Sequence, residues 1–238
     1  MQRYFGSVID GHVLLSEDDA FHLLKVNRSK VHEKIEVVSD GMTFLCEIIG
    51  LKPLNIVVIE KINEVRELPC DIILACALLK GDKLDYVLQK ATELGVGEIV
   101  LLYSKRVIVK KDNYSNAHKL ERFHRILKEA SEQSHRTKIP LLYRTLDINE
   151  LDQIKADIKL IAYEEVAGST KSFTSQINKA KKGDKIVIVI GPEGGFEESE
   201  VKTAMDFGYT PISLGRRILR AETASIYSLS VIASMLER

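Results

Sequence analysis

The sequence predicts an α/β protein in two parts: a small β-barrel carrying one short helix over residues 1–68, then a largely parallel sheet with helices on both faces over residues 69–238. Three observations predict it. The first 66 residues break into short β-branched runs around an Asp40-Gly41 turn. From residue 70 onward, compact apolar runs alternate with stretches at helical spacing. One such run, 186–190, is apolar without a break and passes directly into Gly-Pro-Glu-Gly-Gly. That is the pattern of a strand buried on both faces that hands the chain to a loop.

Taken in order, residues 35–39 and 43–49 flank Asp40-Gly41 and predict a hairpin, with 55–59 a further strand. Between the N-terminus and that hairpin, Ser16 precedes Glu17, Asp18 and Asp19, which suits the capped first turn of a helix. Residues 64–69 read as a linker. Residues 71–78 form the first apolar run of the second part. Leu84, Val87, Leu88, Ala91 and Leu94 then fall on one helical face, and Gly95 follows as a stop. A strand over 98–102 leads to a helix over 115–134, with Leu120, Phe123, Ile126, Leu127 and Ala130 inward. Strands follow at 158–162, 185–190 and 211–214, and a final helix rich in Ala and Ser covers 222–236.

The 238 residues are 45% apolar and 29% charged, the balance of a soluble globular chain with room for two domains. No apolar run approaches the ~18–20 residues that span a bilayer. The N-terminus lacks the apolar stretch of a secretory signal. Three cysteines without a CxxC pair exclude a disulfide scaffold and a four-cysteine zinc site. The expectation is a cytoplasmic protein without a metal or a membrane partner. Net charge is zero, but it is unevenly spread. Residues 103–144 hold 11 Lys/Arg against 4 Asp/Glu, including Lys105, Arg106, Lys110, Lys111, Arg122, Arg125 and Arg136. This segment reads either as a solvated helix face or as a phosphate-binding one.

The chemistry is expected beyond the strands. Gly191-Pro192-Glu193-Gly194-Gly195 follows one strand, and glycines there let backbone approach a ligand. The loop matches neither GxGxxG nor GxxxxGK[ST], and acidic residues follow it, so a neutral or cationic ligand fits better than a triphosphate. A second loop, Leu214-Gly215-Arg216-Arg217-Ile218-Leu219-Arg220, meets a helix opening at Glu222, with Arg220 or Glu222 the candidate catalytic group. A third comes from Ala162-Tyr163-Glu164-Glu165-Val166. No GxSxG elbow or HExxH pair is present.

These segments together resemble the RsmE family of ribosomal RNA methyltransferases in the SPOUT superfamily. The likeness runs through Ala77-Leu78-Leu79-Lys80-Gly81-Asp82-Lys83, Gln89 to Val96, Glu129 to Ser134 with Arg136 and Pro140, Gly191 to Phe196, and Ser213-Leu214-Gly215 with Arg217 to Ala224. The N-terminal part is similar more loosely, through Arg3, His22 and Arg28; after Val26 the family usually carries Leu-Arg, where this chain has Asn27-Arg28. The resemblance implies a PUA-like RNA-binding barrel, a SPOUT α/β domain with a deep trefoil knot, a homodimer, and S-adenosylmethionine (SAM) as cofactor. It implies as product a uridine of small-subunit (16S) ribosomal RNA methylated on N3, with free RNA or the assembled small subunit as substrate.

On that basis SAM is expected against Ala162, Gly191, Pro192, Glu193, Gly194, Gly195, Leu214, Gly215, Ile218 and Leu219. RNA is expected at Arg3, His22, Arg28, Lys105, Arg106, Arg122, Arg125 and Arg136. Arg220 is expected to steady the uracil anion, with Glu222 its orienting partner or a proton acceptor and Glu197 the next candidate. The small residues Ala221, Ala224, Ser225 and Ser228, with Ile232 and Met235, are expected at a subunit contact. The rival readings are a non-catalytic RNA-binding protein, a SPOUT methyltransferase acting on a ribose hydroxyl or a transfer RNA, and an unrelated nucleotide-binding enzyme, which the absent phosphate fingerprints disfavour.

Overall fold

The computed structural model describes residues 1–108, 116–163 and 172–237. Two compact units emerge, Met1–Glu67 with Ser131–Lys138, and Leu68–Ala130 with Ile139–Arg238.

The first unit is built on one six-stranded sheet, β1 (Arg3–Phe5), β2 (Ser7–Ile9), β3 (His12–Leu14), β4 (Lys34–Ser39), β5 (Met42–Leu51) and β6 (Leu54–Ile62), in the order β1-β4-β5-β6-β3-β2. Pairing of Ser39 with Met42 leaves Asp40-Gly41 as a two-residue turn, both residues at positive φ. This is the geometry that suits the twist of a hairpin. Ser16 Oγ accepts from the Asp19 amide and caps α1 (Glu17–Phe21), which continues as a π-helical turn over His22–Val26. Leu23, Ile35, Val37, Cys46, Ile48 and Ile56 form the core.

Two expected RNA contacts are instead part of this unit's interior. Arg3 is 4% exposed; its guanidinium bonds Glu36 at 2.8 and 2.9 Å, pairs with Glu64, and donates to the carbonyls of His135 and Arg136 at 2.6 and 3.2 Å. Arg136, also 4% exposed, pairs with Glu67, which accepts the Thr137 amide at 2.9 Å. A buried guanidinium is stable only when paired; Glu36 comes from β4, while Glu64 and Glu67 come from 64–69, the stretch that reads as a linker. Arg3→Ala removes the buried cation that Glu36 and Glu64 share, leaving Glu64 with the exposed Arg66 and Glu36 with His135, and is expected to cost about 3–5 kcal/mol in urea unfolding.

Acid should weaken the same cluster. Burial alone would raise the Glu64 carboxyl, but hydrogen bonds from Arg66, Arg3 and Thr43 hold it at about 2, against an ordinary 4.5. Its folded value lies below its unfolded one, so its stabilisation is complete above pH 4.5 and is lost as pH falls through about 2. Glu64→Gln should flatten that part of the stability–pH curve, as read by unfolding midpoints.

The second unit is a seven-stranded sheet in which every pairing is parallel. Its elements are β7 (Asp71–Ala77), α2 (Lys83–Glu93), β8 (Glu98–Tyr103), α3 (Ala117–Gln133), β9 (Leu141–Leu142), β10 (Leu146–Asp147), β11 (Ile158–Ala162), α4 (Phe173–Ile177), β12 (Lys185–Ile190), α5 (Glu198–Asp206), β13 (Thr210–Ile212) and α6 (Ala221–Leu236). The order is β10-β8-β7-β12-β11-β13, with β9 beside β8. Alternation explains the unbroken apolar runs. Ile72, Leu74, Cys76, Ile186, Ile188 and Ile190 face a core shared with α2, α3 and α6. Ile73, Ala75, Val187 and Val189 face the opposite one, with Val201 and Ala204 of α5.

The small-residue stripe of α6 is packed inside its own unit. Ser225 and Ser228 have no exposed surface, and their hydroxyls bond the carbonyls of Ala221 and Ala224 at 2.9 and 2.6 Å. Those positions therefore serve core packing rather than a second copy. All three cysteines are buried free thiols. Among the described residues, no helix is long and apolar enough to cross a membrane, and no group of three or more His, Cys, Asp or Glu is placed to hold a metal ion.

Candidate functional site

Three adjacent parallel strands, β12, β11 and β13, end at Ile190, Ala162 and Ile212. Beyond those carboxyl ends lies an open cleft. This is where an open α/β sheet places its ligands. All ten residues expected at the cofactor, Ala162, Gly191, Pro192, Glu193, Gly194, Gly195, Leu214, Gly215, Ile218 and Leu219, line it. So do Arg106, Tyr163, Phe196, Ser213 and Arg217. Glu164, Glu165 and Val166 lie outside the described residues.

Two glycines are dictated by geometry. A β-carbon on Gly194 would stand 3.1 Å from Cβ of Arg106, whose Nη1 donates to the Gly194 carbonyl at the same distance. Gly195 has φ +69°, a conformation side chains rarely adopt. Across the cleft, the Gly215 amide donates to Ser213 Oγ at 3.2 Å, closing a small turn that presents Leu214. Arg106 was expected on RNA because it sits in the basic segment; its partner is 88 residues away in sequence. No local signal ties it to the loop.

The expected catalytic pair sits beside this cleft rather than among its lining residues. Arg220 is the N-cap of α6, with extended backbone and an exposed side chain between cleft-lining Leu219 and Ala221. Glu222 is half-buried; its Oε2 lies 3.9 Å from Lys83 Nζ and has no hydrogen-bond partner among the described residues. Lys83 Nζ also donates to Glu193 Oε1 at 3.0 Å. Burial would raise the Glu193 carboxyl, but the Lys83 hydrogen bond and charge, together with backbone hydrogen bonds from Glu193 and Lys80, hold it below the usual carboxylate range. Glu197 is engaged by Lys105 Nζ at 2.9 Å, and this contact likewise depresses its carboxyl, which makes it a poor proton acceptor.

The basic segment divides once contacts are known. Lys105 is paired with Glu197, and Arg122 with Asp85. Arg125 is exposed on α3 and forms no ion pair among the described residues. Lys110 and Lys111 lie outside the described residues. In the first unit, His22 and Arg28 are exposed at either end of the π-helical turn, with Arg28 at φ +52°. Asn27 Nδ2 donates to Tyr4 Oη at 2.9 Å and lies 3.1 Å from His22 Nδ1, which fixes that turn.

Comparison with known proteins places these features in context. A family model described as an RNA methyltransferase domain matches residues 66–233, and one described as an RNA methyltransferase PUA domain matches 15–61. The Ribosomal RNA small subunit methyltransferase E of Bacillus subtilis (strain 168) is 34% identical, with 100% of this chain and 98% of that protein covered. A crystal structure of a Ribosomal RNA small subunit methyltransferase E from Neisseria gonorrhoeae bound to S-adenosyl methionine superposes with TM-score 0.86 at 28% identity, covering 98% of this chain and 97% of that one. A Legionella pneumophila structure containing the bound cofactor SAM gives TM-score 0.86 at 30% identity over the same shares.

Proposed function

This chain belongs to the RNA methyltransferase family, and on that premise we propose that it uses SAM to methylate N3 of a uridine in small-subunit (16S) ribosomal RNA. The observation that carries the reading is the cleft in which two glycine-bearing loops meet beyond three parallel strands. Its residues fit the cofactor. Close backbone at Gly194 and Gly195 leaves main-chain donors and acceptors for ribose and adenine, and Leu214, Ile218 and Leu219 offer apolar surface for the ring. Glu193 is kept ionised beside the position of a cationic ligand. When bound, SAM supplies an electrophilic methyl group carried on a sulfonium.

The chain's own task is to make uracil N3 a nucleophile. Its proton must leave, and the resulting anion needs a cation close by. Arg220 supplies that cation, and Glu222 orients it or accepts the proton. The base reaches the cleft only by leaving its stack. Phosphate contacts from Arg125, His22 and Arg28 hold the RNA without reading its sequence. The knotted topology and homodimer of the family complete the reading; the exposed side of α6, with Tyr227 41% exposed, supports a subunit contact there better than its buried stripe does. Light scattering at micromolar concentration should give twice the 26.8 kDa chain mass.

Nucleoside mass spectrometry of ribosomal RNA from cells lacking the chain is the direct test. Loss of 3-methyluridine from the small-subunit RNA is expected. Loss of a ribose-methylated nucleoside or of a transfer-RNA modification instead would overturn the assignment. Arg125→Gln and Arg28→Gln should each lower the slope of log affinity for RNA against log salt by about 0.7–0.9. An unchanged slope would leave both as solvated surface.

A further inference from the structure

Lys83, the first residue of α2, stands 110 residues from Glu193 in sequence but bonds it at 3.0 Å. The same ammonium lies 3.9 Å from Glu222 Oε2. Glu193 belongs to the glycine loop that forms one wall of the cleft; Glu222 is set between Ala221 and Ala224, which line it from α6. Two walls contributed by separate elements therefore share one cation. Glu222 Oε2 is buried without a hydrogen-bond partner among the described residues, an uncommon state for a carboxylate oxygen. Lysine has three donor hydrogens, and Glu193 occupies one.

We propose that Lys83 is a positioning residue that staples the glycine loop to the start of α6, fixing the width of the cofactor cleft and the placement of Glu222. The proposal rests on the cofactor reading above and adds to it a residue outside the loops themselves. Lys83 touches neither cofactor nor base in this account; it acts through the two carboxylates. Around Lys83 at the start of α2, Asp82 and Asp85 are both engaged by Arg122 of α3. Glu193 also receives backbone hydrogen bonds from its own amide and that of Lys80. On α6, Arg220 is the neighbouring charge. Of the other elements packed on α6, α4 has no titratable side chain, and Lys185 of β12 is paired with Glu98.

The test is calorimetry with SAM on the full chain, as a function of pH, with Lys83→Met, Lys83→Arg, Glu193→Gln and the Lys83→Met/Glu193→Gln double variant. Lys83→Met should weaken SAM binding about tenfold, while Lys83→Arg recovers most of the loss. Without the ammonium, the Glu193 carboxyl rises toward its ordinary 4.5, so affinity in Lys83→Met should fall as pH drops through that range while the wild type holds. The double variant should be no weaker than the worse single one, since both changes cut the same contact. If Lys83→Met unfolds, Lys83→Gln reads the staple at the same position and should show a similar loss. Wild-type binding with unaltered affinity and pH profile in Lys83→Met and Glu193→Gln overturns the staple alone. Failure of the wild type to bind SAM overturns the cofactor reading, and the staple with it.

Discussion

Arg220→Ala is expected to lower turnover by about 10²–10³-fold, the range seen when one preorganised charge-stabilising donor is removed. SAM affinity should change by less than about threefold, because Arg220 is not among the cleft-lining residues. Three features place the effect on the chemical step. The side chain is exposed at the N-cap, so its guanidinium is available to an incoming base. The positive end of the α6 dipole lies at the same spot and reinforces it. The adjoining Leu219 and Ala221 line the cleft, which places the charge at the edge of the proposed cofactor site. The pH dependence gives a second readout. A variant lacking the cation depends more on prior loss of the N3 proton, so its rate should recover as pH is raised. Lys at 220 should restore part of the rate as a point charge without the planar fork. If Arg220→Ala instead removes SAM binding or lowers the unfolding midpoint, the residue is structural, and Glu222, whose Oε2 has no hydrogen-bond partner among the described residues, becomes the leading group.

How much of this was legible in the sequence follows from what each feature depends on. Burial on both faces forces an unbroken apolar run, so β12 and its glycine loop stand out without any partner being known. The α2 stripe is legible for the same reason, since Leu84, Val87, Leu88 and Ala91 are all buried on one side. The two-residue strands β9 and β10 are too short to show a period. The short 3₁₀ helix over Ile148–Gln153 did carry a signal, Asp147 three residues before Glu150, and the two form a capping box. Charge was read least well. Arg3 and Arg136 look like surface cations until Glu36, Glu64 and Glu67 are brought to them. Small residues on α6 suit a subunit contact and a tight interior equally, and only the packing separates the two.

Valine at Gly194 or Gly195 is expected to weaken SAM binding by about 10²-fold while the chain stays folded. At Gly194 the new β-carbon meets Cβ of Arg106 at 3.1 Å, so the loop or the Arg106 backbone must move, and the hydrogen bond from Arg106 to the Gly194 carbonyl is strained with it. At Gly195 space is open, and the obstacle is φ +69°. A left-handed backbone costs an ordinary residue about 1–2 kcal/mol, and β-branching adds to that. Each change displaces main chain that, in the proposed cofactor site, binds by its own atoms, and a displacement of about 1 Å is enough to forfeit aligned contacts. The core beneath is untouched, because Ile186 to Ile190 are packed against helices on both faces. Unfolding midpoints should therefore move little. Gly183→Val supplies the control: φ is +92° with open space around it, and the residue does not line the cleft. It should carry a similar backbone cost with SAM affinity intact. Equal affinity in all three variants would take the glycine loop out of the cofactor site.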